Sequence, residues 1–150
     1  MKGAVLIIAG AGSGKTTVLC NRIANMMRFG NAYLDETVRG LTPEQEQFLQ
    51  DFPAMEKTPE NAERLAEIVA VEPVQPWNIL AITFTNKAAG ELRQRLIDMI
   101  GEDAEKINAS TFHSACVKIL RREIENLGYQ RSFTIYDDDD SKRIIKDAMK

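Results

Sequence analysis

Fourteen consecutive residues, Ala4 to Thr17 (AVLIIAGAGSGKTT), constrain this chain more than any other stretch. The unbroken apolar run Ala4–Ala9 has the length and the lack of alternation expected of a short, fully buried strand. The loop Gly10-Ala11-Gly12-Ser13-Gly14 follows directly, and Lys15-Thr16 opens a helical pattern that runs to about Phe29. Glycines let a backbone turn tightly and aim several N–H groups at one anion. A helix that starts there adds its unpaired donors and its partial positive charge. Lys15 is placed to reach β- and γ-phosphates, and the Thr16 hydroxyl to complete a Mg²⁺ shell. Ala9 stands where the pattern G-x-x-x-x-G-K-[ST] has its first glycine, a tolerable variant wherever that residue keeps φ below zero. A glycine-rich turn with a coincidental lysine is the plain alternative. The strand signal before the loop and the helix signal after it argue against that. The expectation is a nucleotide-phosphate site formed by Ala9, Gly10, Ala11, Gly12, Ser13, Gly14, Lys15, Thr16 and Thr17, with Lys15 and Thr16 closest to the chemistry.

The rest of the chain is read around that element. The first helix places Val18, Ile23, Met26 and Met27 near one face, as packing against a sheet requires. Regular patterning then stops. Residues 30–76 hold Gly30, Gly40 and all five prolines, and residues 35–76 carry a net charge of −7 against +4 for residues 1–34. Thr42 and Thr58 are expected to cap short helices beginning at Pro43 and Pro59. This segment is expected to be a surface insertion of small helices with a solvated acidic face. Regular structure returns with the apolar run Ile79–Ile82, which ends in the polar cluster Thr83-Phe84-Thr85-Asn86-Lys87. A helix follows, with Leu92, Leu96, Met99 and Ile100 on its apolar side. A strand is expected near Lys106–Ser110, ending in Ser110-Thr111-Phe112-His113-Ser114, and then a helix over about Ala115–Leu127. Ser132–Tyr136 is a weaker strand candidate. Asp138–Asp140 would cap a last helix from Ser141, where acids suit the macrodipole.

Strands alternating with helices predict an α/β fold, a parallel sheet with right-handed crossovers and helices on both faces. Ligands gather at the carboxyl ends of such strands. The phosphate loop, TFTNK and STFHS should therefore share one edge of the sheet.

The 150 residues suffice for one domain with a core, and 44% apolar with 27% charged residues is ordinary for a soluble globule. No apolar run reaches membrane-spanning length, and Ala4–Ala9 is too short for a signal peptide, so no membrane partner is expected. Cys20 and Cys116 lack metal-type spacing and are expected to be reduced, packed thiols of a cytoplasmic protein. No cluster of ligating side chains supports a metal centre or a nucleophile–base pair, and His113 is the only histidine. Lys118, Arg121 and Arg122 are expected to line a solvated helix face.

With these clusters in view, the chain resembles the N-terminal ATP-binding domain of superfamily I DNA helicases of the UvrD/Rep/PcrA type. AGAGSGKT (Ala9–Thr16) is similar to that family's motif I, PWNILAITFTNKAAGELRQRL (Pro76–Leu96) to motif Ia, and ASTFHSACVKILRRE (Ala109–Glu123) to motif Ib. The resemblance extends over residues 3–29 and 76–150. It implies a RecA-like P-loop NTPase sheet, of which residues 1–150 would be the N-terminal part, an incomplete domain interrupted by the insertion at about 30–76. It also implies ATP and Mg²⁺ as cofactors, held by Gly12, Ser13, Gly14, Lys15 and Thr16. Single-stranded DNA is implied as a partner, facing Thr83, Phe84, Thr85 and Asn86 and also Thr111, Phe112 and His113, and so are the remaining helicase domains of the parent chain. The residues agree: hydroxyls, an amide and backbone donors hold phosphates without reading sequence, and an aromatic beside them offers a stacking surface for any base. Phe84 and Phe112 as plain core residues are the competing reading.

The chain departs from the family pattern in places. The family's glutamine-containing adenine-binding segment precedes motif I and is expected to lie ahead of Met1. LTPEQEQ (Leu41–Gln47) is superficially similar but falls inside the insertion. Thr17 stands where the family often has arginine. Phe133-Thr134-Ile135-Tyr136-Asp137-Asp138 reads as a strand ending in acids, but it holds no glutamate and precedes the family's acidic motif II, so it is not taken as a Walker B strand. The expected function is that of an ATP-binding and partly DNA-binding portion of an ATP-dependent DNA helicase or translocase, inactive in hydrolysis by itself. The rivals are a P-loop kinase and a non-enzymatic nucleotide-binding interaction module.

Overall fold

The computed structural model describes residues 3–10, 12–37, 40–136 and 138–149. These form two compact units, residues 1–111 and residues 112–150.

In the first unit, helix α1 spans Lys15–Phe29, α2 spans Pro43–Asp51, α3 spans Pro59–Val69 and α4 spans Asn86–Ile100. Strands β1 (Leu80–Thr83) and β2 (Asn108–Thr111) pair in parallel, and α4 lies between them in sequence, making a βαβ unit. Local chemistry starts α2, α3 and α4. Thr42 and Gln45 form a reciprocal capping box ahead of Pro43, while Thr58 and Thr85 each accept from the backbone N–H three residues on. The core gathers Cys20 and Ile23 of α1, Ala81 and Ala109 of the strands, and Leu92 and Leu96 of α4, with Ile79, Ala104 and Ile107. Leu96 and Leu92 are 0% and 1% exposed, which makes them the centre of the packing. Burial pushes the Cys20 thiol above its ordinary range, with the nearby Arg95 charge opposing.

Residues 30–76 form small helices, and their two ends meet. Gly30 bridges Val71 in parallel, the Asn31 N–H donates to the Val71 carbonyl (2.7 Å), and the Val71 N–H donates to the Phe29 carbonyl (3.0 Å). The segment leaves and rejoins the chain at one neck, so it loads little strain onto α1 or β1. Phe48 and Ile68 are its buried apolar anchors.

Three expectations need correction. The run Ala4–Ala9 is neither strand nor buried: residues 4–9 carry no regular element, and Val5, Leu6, Ile7 and Ile8 are 49%, 84%, 54% and 89% exposed. A strand exists only through a ladder, and the only sheet among the described residues is the pair β1–β2. Ser132–Tyr136 is likewise without a strand. The expected several-stranded sheet with helices on both faces is therefore seen as two strands packed on α4, while Leu80 and Ile82 stay 53% and 45% exposed.

In the second unit, α5 spans Phe112–Glu123 and continues as a 3-10 turn over Ile124–Leu127, and α6 spans Asp138–Ala148. The last helix begins earlier than expected, so Asp138, Asp139 and Asp140 occupy its first turn instead of preceding it. There they favour the positive end of the helix, and Asp139 and Asp140 pair with Lys142 (3.5 Å) and Arg143 (3.4 Å). Among the described residues, no helix is long and apolar enough to cross a membrane.

Candidate functional site

The loop ahead of α1 is shaped by two glycines in the left-handed region, Gly12 (φ 75°) and Gly14 (φ 79°), a conformation that L side chains resist. The Ser13 hydroxyl closes the turn by donating to the Gly10 carbonyl at 2.7 Å. Gly14 is the N-cap of α1, and its carbonyl accepts the first helical bond from the Val18 N–H at 3.0 Å. That leaves the N–H groups of Lys15, Thr16 and Thr17 without a partner inside the helix. No side chain caps this terminus and no acid stands in its first turn. Donors and macrodipole therefore face solvent unopposed. The exposed Lys15 ammonium donates to the Gly10 carbonyl and, at 3.1 Å, to the Ala9 carbonyl. Thr16 and Thr17 are exposed on the same first turn. Ala11 lies outside the described residues, as does Asp137.

The structure also brings together part of the second and third clusters. Thr83 and Thr111 are register partners at the last positions of β1 and β2. The Thr83 hydroxyl donates to the Thr85 carbonyl at 3.0 Å, and the Thr85 hydroxyl accepts from the Ala88 N–H at 3.1 Å. These bonds leave Phe84 at the tip of the turn, its ring fully exposed at 104% of the reference area. Asn86 opens α4 beside it, also exposed. The reading of Phe84 as a core residue does not hold. In the second unit, Phe112 is the first residue of α5 and 61% exposed, with the His113 ring edge-on at 6.2 Å. Lys118, Arg121 and Arg122 lie on the exposed side of α5, and Arg122 pairs with Glu123.

One contributor escaped the sequence. Arg93, on α4, donates its Nη2 to the Ala109 carbonyl at 2.8 Å and so holds the strand that ends in Thr111. Nothing in the spacing GELRQRL separates it from Arg95. The Ser110 hydroxyl is buried in the same strand without a hydrogen-bond partner among the described residues.

Two concavities of about 750 and 610 Å³ lie toward the other end of α1, one bordered by Arg28 and Met99, the other by Asn25 and Phe29. Neither includes the loop, which presents an open surface. Among the described residues, no group of three or more His, Cys, Asp or Glu is placed to hold a metal. A magnesium ion here would have to reach the chain through a hydroxyl and the phosphates themselves, the mode magnesium ordinarily adopts.

Comparison with known proteins bears on this arrangement. The model of the UvrD/REP helicase N-terminal domain family matches residues 1–38 and 57–150, leaving 39–56, which hold α2, unmatched. The ATP-dependent DNA helicase PcrA of Staphylococcus epidermidis is 42% identical over 149 residues, which make up 99% of this chain and 15% of that protein. The protein of the same name from Staphylococcus aureus is 41% identical over the same span and shares. The chain thus spans about 15% of the length of the curated relatives it matches.

Proposed function

The chain belongs to the UvrD/REP helicase N-terminal domain family, and we propose from this that it supplies the ATP-phosphate site and part of the single-stranded-DNA surface of an ATP-dependent DNA helicase or translocase. The observation that carries the reading is the start of α1, an uncapped and acid-free helix terminus preceded by two left-handed glycines and followed by Lys15. These groups fit a triphosphate. The backbone donors of Gly12–Thr17 would hold its oxygens, Lys15 would exchange the Ala9 and Gly10 carbonyls for phosphate oxygens, and the Thr16 hydroxyl would hold Mg²⁺. Magnesium bound there would supply neutralising charge to the phosphates.

In this reading Thr83, Thr85, Asn86, Thr111 and His113 hold DNA phosphates and sugars, and Phe84 and Phe112 offer stacking faces. Their exposure fits the assignment, because a ring open to solvent has a free face on which a base can stack. The parallel pair β1–β2 is read as part of a wider RecA-like sheet of the parent protein. ATP hydrolysis is phosphoryl transfer to water. Triphosphate binding alone stabilises ground and transition states alike. Turnover is therefore assigned to groups of the parent beyond these residues, and the 150 residues alone are expected to bind nucleotide without hydrolysing it.

The test is a single-stranded oligonucleotide titration of the parent protein and its Phe84→Ala variant. One lost stacking contact is worth about 1–3 kcal/mol, so affinity should fall about five- to a hundredfold, equally for thymine and adenine tracts. Unchanged affinity would remove the turn Thr83–Asn86 from the DNA surface.

A further inference from the structure

The helices α1 and α4 begin at the two clusters assigned above, one at the phosphate loop and the other at the Thr83–Asn86 turn. Their middles are packed into one core through Cys20, Ile23, Leu92 and Leu96. Their far ends are joined by a polar contact: the Arg28 guanidinium, in the last turn of α1, donates Nη2 to the carbonyl of Met99 near the end of α4 at 2.5 Å. The two residues are 71 positions apart. A cation at a helix C-terminus is favoured there, since the last carbonyls carry partial negative charge and lack helical donors. Because the contact is to backbone, it grips α4 itself and not one rotamer of a side chain. The pair is thus pinned at two places, the core and the far end, with both ligand-facing ends left clear. Any displacement of the α1 start would then reach the α4 start as rigid movement, without being absorbed by sliding at the far end.

We propose that Arg28 is a positioning residue that couples the phosphate loop to the Thr83–Asn86 turn, so that nucleotide at one alters the affinity for single-stranded DNA at the other. This rests on the functional reading above.

The experiment compares the full parent protein with its Arg28→Ala, Arg28→Met and Arg28→Lys variants. The affinity for an oligothymidine strand is measured with and without a non-hydrolysable magnesium ATP analogue, and the affinity for the analogue with and without the strand. The ratio of the paired affinities is the coupling, and it must be equal in both directions. The expected result is a three- to tenfold loss of that ratio, about the range seen when a coupling contact is removed, in Arg28→Ala and Arg28→Met. Each ligand's affinity alone should stay within about twofold. Arg28→Lys should recover most of the ratio, because an ammonium can reach the same carbonyl. Arg28→Met keeps the apolar stem, so it reads the coupling if Arg28→Ala proves unstable. A ratio unchanged in every variant, or lost equally in Arg28→Lys, overturns the proposal and leaves the functional reading standing. Wild-type parent that binds neither ligand overturns both, and wild type that binds both without coupling overturns this one.

Discussion

Lys15→Ala is expected to weaken binding of a magnesium nucleoside triphosphate about ten- to a hundredfold while leaving the fold intact. The side chain is exposed and its ammonium bonds only the carbonyls of Ala9 and Gly10, contacts that water replaces at small cost. A substitution at such a surface position changes stability by about 0.5 kcal/mol or less. Against a phosphate the same ammonium makes charge-assisted bonds worth about 1.5–3 kcal/mol, and each 1.4 kcal/mol is a factor of ten. Titration calorimetry gives the affinity, and a urea transition gives the stability. A variant that binds as tightly as the parent sequence would take Lys15 out of the site. A variant that unfolds would make Lys15 structural.

Gly30→Ala is expected to destabilise the first unit by about 2–4 kcal/mol, the range of a strained backbone combined with a steric clash. Gly30 sits at φ 58°, ψ −121°, where a side chain is strained in any surroundings. A Cβ there would also stand 2.0 Å from the Val71 carbonyl oxygen and 2.4 Å from that of Glu72, both backbone atoms. The neck of the insertion would have to open, losing the bonds that join Phe29 and Asn31 to Val71. Gly90→Ala is the control. That glycine lies inside α4, and a Cβ meets nothing within 4 Å. It should be neutral or stabilising by up to about 1 kcal/mol, the helix-propensity difference. The urea midpoint should fall in Gly30→Ala and hold or rise in Gly90→Ala, and a parallel fall would contradict the account of the neck.

These two glycines show where sequence reading succeeds and where it stops. The starts of α2 and α3 were legible because their causes are local. Thr42 and Thr58 each carry the capping oxygen within three residues of the donor it serves. The turn before α1 was legible from its glycines, those at positions 12 and 14 being the ones at positive φ. The TFTNK and STFHS clusters were legible as the polar ends of apolar runs, their expected role came from the resemblance, and the exposure of Phe84 then distinguished a surface ring from a core one. What was missed is non-local. Whether Ala4–Ala9 becomes a strand depends on a partner in the ladder, which no property of those six residues supplies. The special standing of Gly30 depends on Val71, that of Arg28 on Met99 and that of Arg93 on Ala109. In each case the partner stands at a distance in sequence at which residue type alone says nothing.

The central claim is that the loop before α1 binds the phosphates of ATP, and backbone amide NMR of the isotopically labelled chain tests it most directly. On titration with magnesium ATP, the largest shifts should fall on the amides of Gly12 to Thr17, and Lys15→Ala should suppress them. Saturation with ATP that leaves those amides unmoved, while others along the chain shift, would contradict it.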